Sequence, residues 1–335
     1  MRRLLLLALA ACGSDPRVLP DSAVEDSAPA PDADEDIYNR VVNHVLVLED
    51  RVLWSHGQEG CNLETPCAND GPGLTSLSTY NNRAWVWYEG GVGSRFVTGT
   101  NDRQFFVTGP TPETMFVMRI GSTGDSGMSV PRRWTVGPAV DATHVYWADW
   151  SFTQTTESYT LKRTLADGDG SVVEELATVE LGQIHSETEI VHAGGYIWWA
   201  SPAGLRRVAV TGGPAEVVAP LYATAIVATD DAIYVGARVS EPEDHIEIQR
   251  VAFDGTVTPL VTDAPAHWWK PLRFMLVVED RVWWSAEDGN IYSVPTSGGS
   301  LTTTPVGEDA GRAFVVLPDK FLVHLGFDSY RTVPR

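Results

Sequence analysis

Apolar and polar residues alternate along this chain in short bursts of strand length, with no sustained helical spacing. One phrase recurs from about residue 44 onward: an apolar strand, a tight turn carrying Asp, Asn or Gly, then a second strand holding two or three consecutive aromatic or aliphatic residues. The seven copies are "VLVLEDRVLWS", "RFVTGTNDRQFFVTG", "PAVDATHVYWADW", "EIVHAGGYIWWAS", "AIVATDDAIYVGA", "MLVVEDRVWWSAE" and "FVVLPDKFLVHLG". Their anchors, Trp54, Phe106, Tyr146, Trp198, Tyr234, Trp283 and Leu322, recur at a spacing of about 45 residues. Two copies even agree at six of the seven positions of a heptad, EDRVLWS at 49–55 and EDRVWWS at 279–285.

Several units continue into a third strand and a Gly turn, as in "GLRRVAVTGGPAEVVA" and "IEIQRVAFDGTVTPLV", where the GG and DG pairs supply the positive φ angles that hairpins need. Adjacent bulky residues such as Trp198 and Trp199 point to opposite faces of a strand, so both faces must be covered. A sandwich covers one face of each sheet, whereas a propeller packs every blade between two others. The pattern therefore predicts an all-β protein, a β-propeller over residues 38–335 with seven four-stranded antiparallel blades, six or eight being the alternatives. The seventh unit has room for only two or three strands, so "IYNRVVN" at 37–43 is expected to close the ring by pairing with the last blade.

"VYWAD" at 145–149 resembles the YWTD motif of propeller modules in lipoprotein-receptor ectodomains, with Ala148 in place of the Thr. The other units read "LWSH", "WWAS", "IYVG" and "WWSA", so the resemblance is to a general YWTD-like blade.

The front of the chain departs from this grammar. Residues 1–11, "MRRLLLLALAA", join a basic start to an apolar run far shorter than the roughly 20 residues of a membrane span, which predicts a removed export signal. "LAAC" at 9–12 resembles the bacterial lipobox, which implies acylation of Cys12 and anchoring in lipid. Gly13 after the cysteine implies the outer membrane, on its periplasmic or surface side. Residues 12–37 then form an acidic tether poor in large apolar side chains.

The formal charge of −20 disfavours nucleic acid and bare anionic lipid as partners. What remains is outer-membrane lipid through acylated Cys12, together with an envelope protein, peptide or glycan. Cys61 and Cys67, in "CNLETPC", are expected to form a local disulfide in an oxidising compartment. They lack the further ligands of a metal site, and no metal or cofactor is predicted. "GDSGM" at 124–128 lies between units and lacks the upstream His and Asp of a serine protease. No phosphate loop, nucleophile elbow or zinc-protease pair occurs, and no catalytic residue is assigned.

Units one, three and five carry extra residues after their second strands: "HGQEGCNLETPCANDGPG", "DWSFTQTTES" and "RVSEPEDH". In a propeller these connections share one face with the loops that join successive blades. That face is therefore the candidate binding rim. It gathers His56, His185, His245 and His267, the pair Trp268 and Trp269, and the aromatic residues Trp150, Phe152 and Tyr222. The starts of first strands show no repeated acid or His to line a catalytic channel. The expectation is a binding or scaffolding module, with a propeller enzyme acting on a carbohydrate or lactone, lactonase- or lyase-like, as the alternative.

Overall fold

The computed structural model describes the chain from residue 40 onward: up to residue 132 the strands alone, and beyond it residues 135–152, 157–181, 190–201, 204–240, 244–266, 272, 275–286, 288–307, 314–326 and 329–335. Described side chains are those of Phe105 and of most of these residues after 136.

Consecutive hairpins build seven antiparallel sheets. Sheet one is β1 (Arg40–Val47), β2 (Arg51–Gln58), β3 (Pro72–Ser78) and β4 (Ala84–Glu89); sheet two is β5 (Val97–Gly99), β6 (Arg103–Thr108), β7 (Met115–Gly121) and β8 (Ser126–Arg132). Sheet three is β9 (Thr135–Val140), β10 (His144–Phe152), β11 (Glu157–Leu165) and β12 (Glu174–Leu181); sheet four is β13 (Ile190–Ala193), β14 (Tyr196–Ser201), β15 (Gly204–Ala209) and β16 (Glu216–Ala219). Sheet five is β17 (Tyr222–Ala228), β18 (Ala232–Val239), β19 (His245–Ala252) and β20 (Val257–Ala264); sheet six is β21 (Met275–Val278), β22 (Arg281–Ser285), β23 (Asn290–Pro295) and β24 (Thr302–Pro305). Sheet seven has three strands, β25 (Phe314–Val316), β26 (Lys320–Gly326) and β27 (Ser329–Pro334).

Each sheet is a meander, and the first strands β1, β5, β9, β13, β17 and β21 lie successively side by side. Trp283 and Ile291 of sheet six share one core cluster with Phe314 and Phe321 of sheet seven, and β1 packs against β25 and β26. The ring is thereby closed, and the chain is a β-propeller. Its closure corrects one expectation. Arg40 to Val42 pair with Gln58 to His56 inside sheet one, so this segment supplies the first blade and not a strand of the last. A strand pattern marks an extended segment but does not say which edge it joins, and here the nearer partner β2 takes it.

All seven sequence anchors fall on second strands, from Trp54 on β2 to Leu322 on β26. The two heptads occupy the same blade position: Arg51 opens β2 and Arg281 opens β22, and in each sheet the Val that follows pairs with a Val of the first strand, Val52 with Val47 and Val282 with Val277. In the second copy Glu279 and Asp280 form the hairpin turn with φ of 51° and 59°, the left-handed pair that a type I′ turn requires.

Doubled aromatics pack between blades as two-sided burial demands. Trp198 joins Ile226, Ile233 and Val235 of sheet five, while Trp199 joins Val145 and Tyr146 of sheet three. Trp284 and Trp283 divide in the same way between sheets five and seven. Among the described side chains, second strands are buried along most of their length, as in β18, whereas the outer strands β20 and β24 are largely exposed. Gly194, at φ +59°, shows how tight the seams are: a Cβ there would lie 2.6 Å from the Phe253 ring, which packs at 5.8 Å on Trp198.

Candidate functional site

Strand alternation divides the ring into two faces. Turns from first to second strands emerge on one side, here called lower, and among the described sheets they span at most three residues. Connections from second to third strands, and those between sheets, emerge on the upper side. The two widest separations between consecutive described strands, β2 to β3 and β20 to β21, both fall at upper strand ends. The three expected insertions each follow a second strand, β2, β10 and β18.

Part of what reads as loop is strand. His56 belongs to β2, pairing with Val42, and Trp150 and Phe152 belong to β10, pairing with Tyr159 and Glu157. The strand-forming aromatics Trp150, Phe152 and Tyr159 lie in the upper ends of β10 and β11, which stop at Phe152 and Glu157. Cys12, Cys61, Cys67, His185, His267, Trp268 and Trp269 lie outside the described residues.

Two of the expected rim residues lie at the upper end of sheet five, on opposite faces of it. Tyr222 opens β17 opposite Arg238, and His245 opens β19 opposite Val239, so they flank the end of β18. Tyr222 is 38% exposed, one of six exposed large hydrophobic side chains among the described residues. Arg238 grips Asp244 through Nε at 3.2 Å and through Nη2 at 3.1 and 3.2 Å. On the other face of the same strands a polar file runs inward from the rim. His245 Nε2 lies 3.5 Å from Glu247 Oε1, and Gln249 Nε2 donates to Glu247 Oε2 at 2.5 Å. Gln249 is buried, and its Oε1 has no hydrogen-bond partner.

Sheet three carries a second upper group. Trp147 Nε1 donates to Asp149 Oδ1 at 3.1 Å, and Lys162 Nζ bridges Asp149 Oδ2 at 2.9 Å and Glu175 Oε1 at 3.4 Å. Among the described residues no three His, Cys, Asp or Glu side chains are grouped to hold a metal ion.

The lower face is built for rigidity. Asp141 accepts hydrogen bonds from the amides of Thr143 and His144, both at 2.7 Å, and from the Tyr146 hydroxyl at 2.5 Å. Burial pushes its pKa up, but these bonds outweigh burial and hold it at about 2. Burial and the neighbouring carboxylate push the Tyr146 phenol far upward, so it stays a neutral donor. The Tyr146 ring also stacks on His192 of sheet four, with centroids 6.0 Å apart. Arginines on third strands then bolt blade to blade. Arg163 donates to the carbonyl of Val210 at 2.5 Å, and Arg207 donates to that of Phe253 while lying 4.2 Å over the Tyr196 ring. Both clamps had a sequence signal, an Arg five residues before a turn glycine, Arg163 before Gly168 and Arg207 before Gly212.

The fold is shared with solved structures at low sequence identity. The computationally designed Ika8 protein is 12% identical, with 89% of this chain and 96% of that chain aligned at a TM-score of 0.51. The WD40 domain of Neurospora crassa Pan2 is 10% identical over 84% and 85% of the two chains, TM-score 0.53. Pyrococcus horikoshii acylaminoacyl peptidase is 12% identical at a TM-score of 0.56, with 85% of this chain spanning 49% of that one. No protein-family model matches the chain, and no curated protein matches it either. These likenesses concern the fold alone, and they agree with the propeller class that the seven sheets define.

Proposed function

We propose that this chain is a cell-envelope lipoprotein, anchored through acylated Cys12 and an acidic tether, whose propeller acts as a binding or scaffolding module through its upper face. The observation that supports this most is the asymmetry of the two faces. Lower turns from first to second strands are at most three residues long and Asp141, Thr143, His144 and Tyr146 there bond to one another, while the upper face has the longest connection between strands, exposed Tyr222 and the polar file from His245 to Gln249. Binding needs a shaped rim with aromatic and polar anchors on a rigid frame. The partner would be an envelope protein, peptide or glycan, and the propeller would sit at the outer membrane.

The test is thermal unfolding of the full-length chain against glycans, cell-wall fragments, peptides and divalent ions, with a chelator control. A ligand at a hundred times its dissociation constant adds about 2.7 kcal/mol, which moves the midpoint by several degrees. The expected result is a stabilising ligand whose effect is lost in Tyr222→Ala or His245→Ala. A ligand equally effective on both variants would place binding elsewhere. Anchoring is tested separately, because Cys12→Ser should move the protein from the membrane to the soluble fraction.

A further inference from the structure

Sheets three and four carry the same cross-strand pair at the same register. Trp147 lies opposite Lys162 in one, and Trp199 lies opposite Arg206 in the other. In sheet three both donors converge on one carboxylate, the indole N–H on Asp149 Oδ1 and the ammonium on Asp149 Oδ2, while Glu175, opposite Lys162 on β12, adds a second acid. In sheet four the donors are kept and both acids are gone. The residue two positions after Trp199 is Ser201, and the residue opposite Arg206 on β16 is Val217.

The consequence is visible in the hydrogen bonding. Trp199 is 4% exposed and its Nε1 has no partner, and the buried Nε of Arg206 has none either. No described carboxylate pairs with Arg206, although its neighbours Arg163 and Arg207 each hold a glutamate. A buried indole N–H without an acceptor is costly, and a cation whose Nε is shut away from water without an anion is costlier.

We propose that Trp199 and Arg206 form a binding site for a ligand carboxylate, which takes the place that Asp149 fills in sheet three. One carboxylate oxygen accepts from the indole and the other from the guanidinium, whose planar fork suits a carboxylate. The pair lies toward the upper end of sheet four, so the proposal names a ligand class for the upper-face reading and rests on it for the direction of approach. Because the chain carries a formal charge of −20, free anions are repelled overall, and only a local site of this kind would hold one.

The test is a titration of the 15N-labelled full-length chain with succinate, read at the Trp199 indole N–H resonance, which Trp199→Phe assigns by its disappearance. Chloride and sulfate at matched ionic strength are the controls. The expected result is a saturable shift with succinate alone, weakened about tenfold or more in Arg206→Leu. It should be absent in Ser201→Asp, which supplies from within the chain the acid that Asp149 provides in sheet three. That variant should also melt higher than the native protein. A Trp199 resonance that ignores succinate, or that follows chloride and sulfate equally, would overturn the proposal, as would unchanged binding in Ser201→Asp. If succinate binds here while no ligand depends on Tyr222 or His245, the rim reading fails and the carboxylate site stands.

Discussion

Arg207 reaches out of its own sheet to donate to the backbone carbonyl of Phe253 in the next one, while its guanidinium also pairs with Glu216 and covers Tyr196 and Trp198. One side chain thus serves a strand pair, an aromatic stack and an inter-blade seam. Replacing it with Met keeps the aliphatic packing and removes the rest, leaving a carbonyl unsatisfied. Arg207→Met should cost about 2 kcal/mol, measured as a lower urea midpoint with an unchanged slope.

The hairpin turn between β21 and β22 holds two residues with side chains in the left-handed region, Glu279 and Asp280. Such a conformation costs an L-residue roughly 1 kcal/mol, a penalty glycine escapes. Glu279 is held by an ion pair to Arg335 at 2.6 Å, so Asp280 is the position to change. Asp280→Gly should raise stability by up to about 1 kcal/mol, and Asp280→Val should lower it, because β-branching suits this region worst. Calorimetry of the two variants gives opposite signs if the turn is as described.

Asp141 makes stability depend on pH in a defined window. Its folded pKa, about 2, lies below the ordinary 3.8, so the carboxylate stabilises the native state above the ordinary value. That contribution is lost as pH falls from about 4 toward 2. Urea unfolding across pH 2 to 6 should show wild type losing stability over that interval. Asp141→Asn should be less stable at pH 6 and flatter between pH 4 and 2, since the amide cannot take up the proton.

The framework was legible because a blade writes itself locally. A strand, a two- or three-residue turn and a doubly buried strand all fall within about a dozen residues, and the anchors from Trp54 to Leu322 mark second strands without exception. What depends on partners distant in sequence was not legible. Arg40 to Asn43 reads as a strand whichever sheet receives it, and Trp150 and Phe152 read as loop until Tyr159 and Glu157 are known to lie opposite. Tyr222 and His245 could be assigned to one face from the alternation of strands. That they flank the same strand end is a matter of register, fixed only by β18 between them. The contrast between Asp149 and Ser201 was likewise printed in the chain, but it gains meaning only once Trp147 and Trp199 are known to be equivalent.

Trp198 matches Trp283 in blade position and Trp284 matches Trp199, so Trp198 and Trp284 lie on opposite faces of their second strands and can be compared by how their indoles are satisfied. Trp198 and Trp284 are both fully buried on second strands, but their indole nitrogens differ: Trp198 Nε1 donates to the Ala193 carbonyl at 3.0 Å, and Trp284 Nε1 has no partner. Changing either to Phe leaves a cavity of similar size. In Trp198→Phe the change also orphans a carbonyl and removes an indole from beneath Arg207, whose guanidinium lies 5.1 Å from the ring. In Trp284→Phe it removes a donor that was already unsatisfied, which offsets part of the cavity cost. Trp198→Phe should therefore be the more destabilising by about 1–3 kcal/mol, the range for a buried polar group gaining or losing its partner. Chemical unfolding of both variants, fitted with a common slope, measures that difference. Equal losses would mean that the Trp284 indole has an acceptor, such as a buried water, that the protein groups around it do not supply.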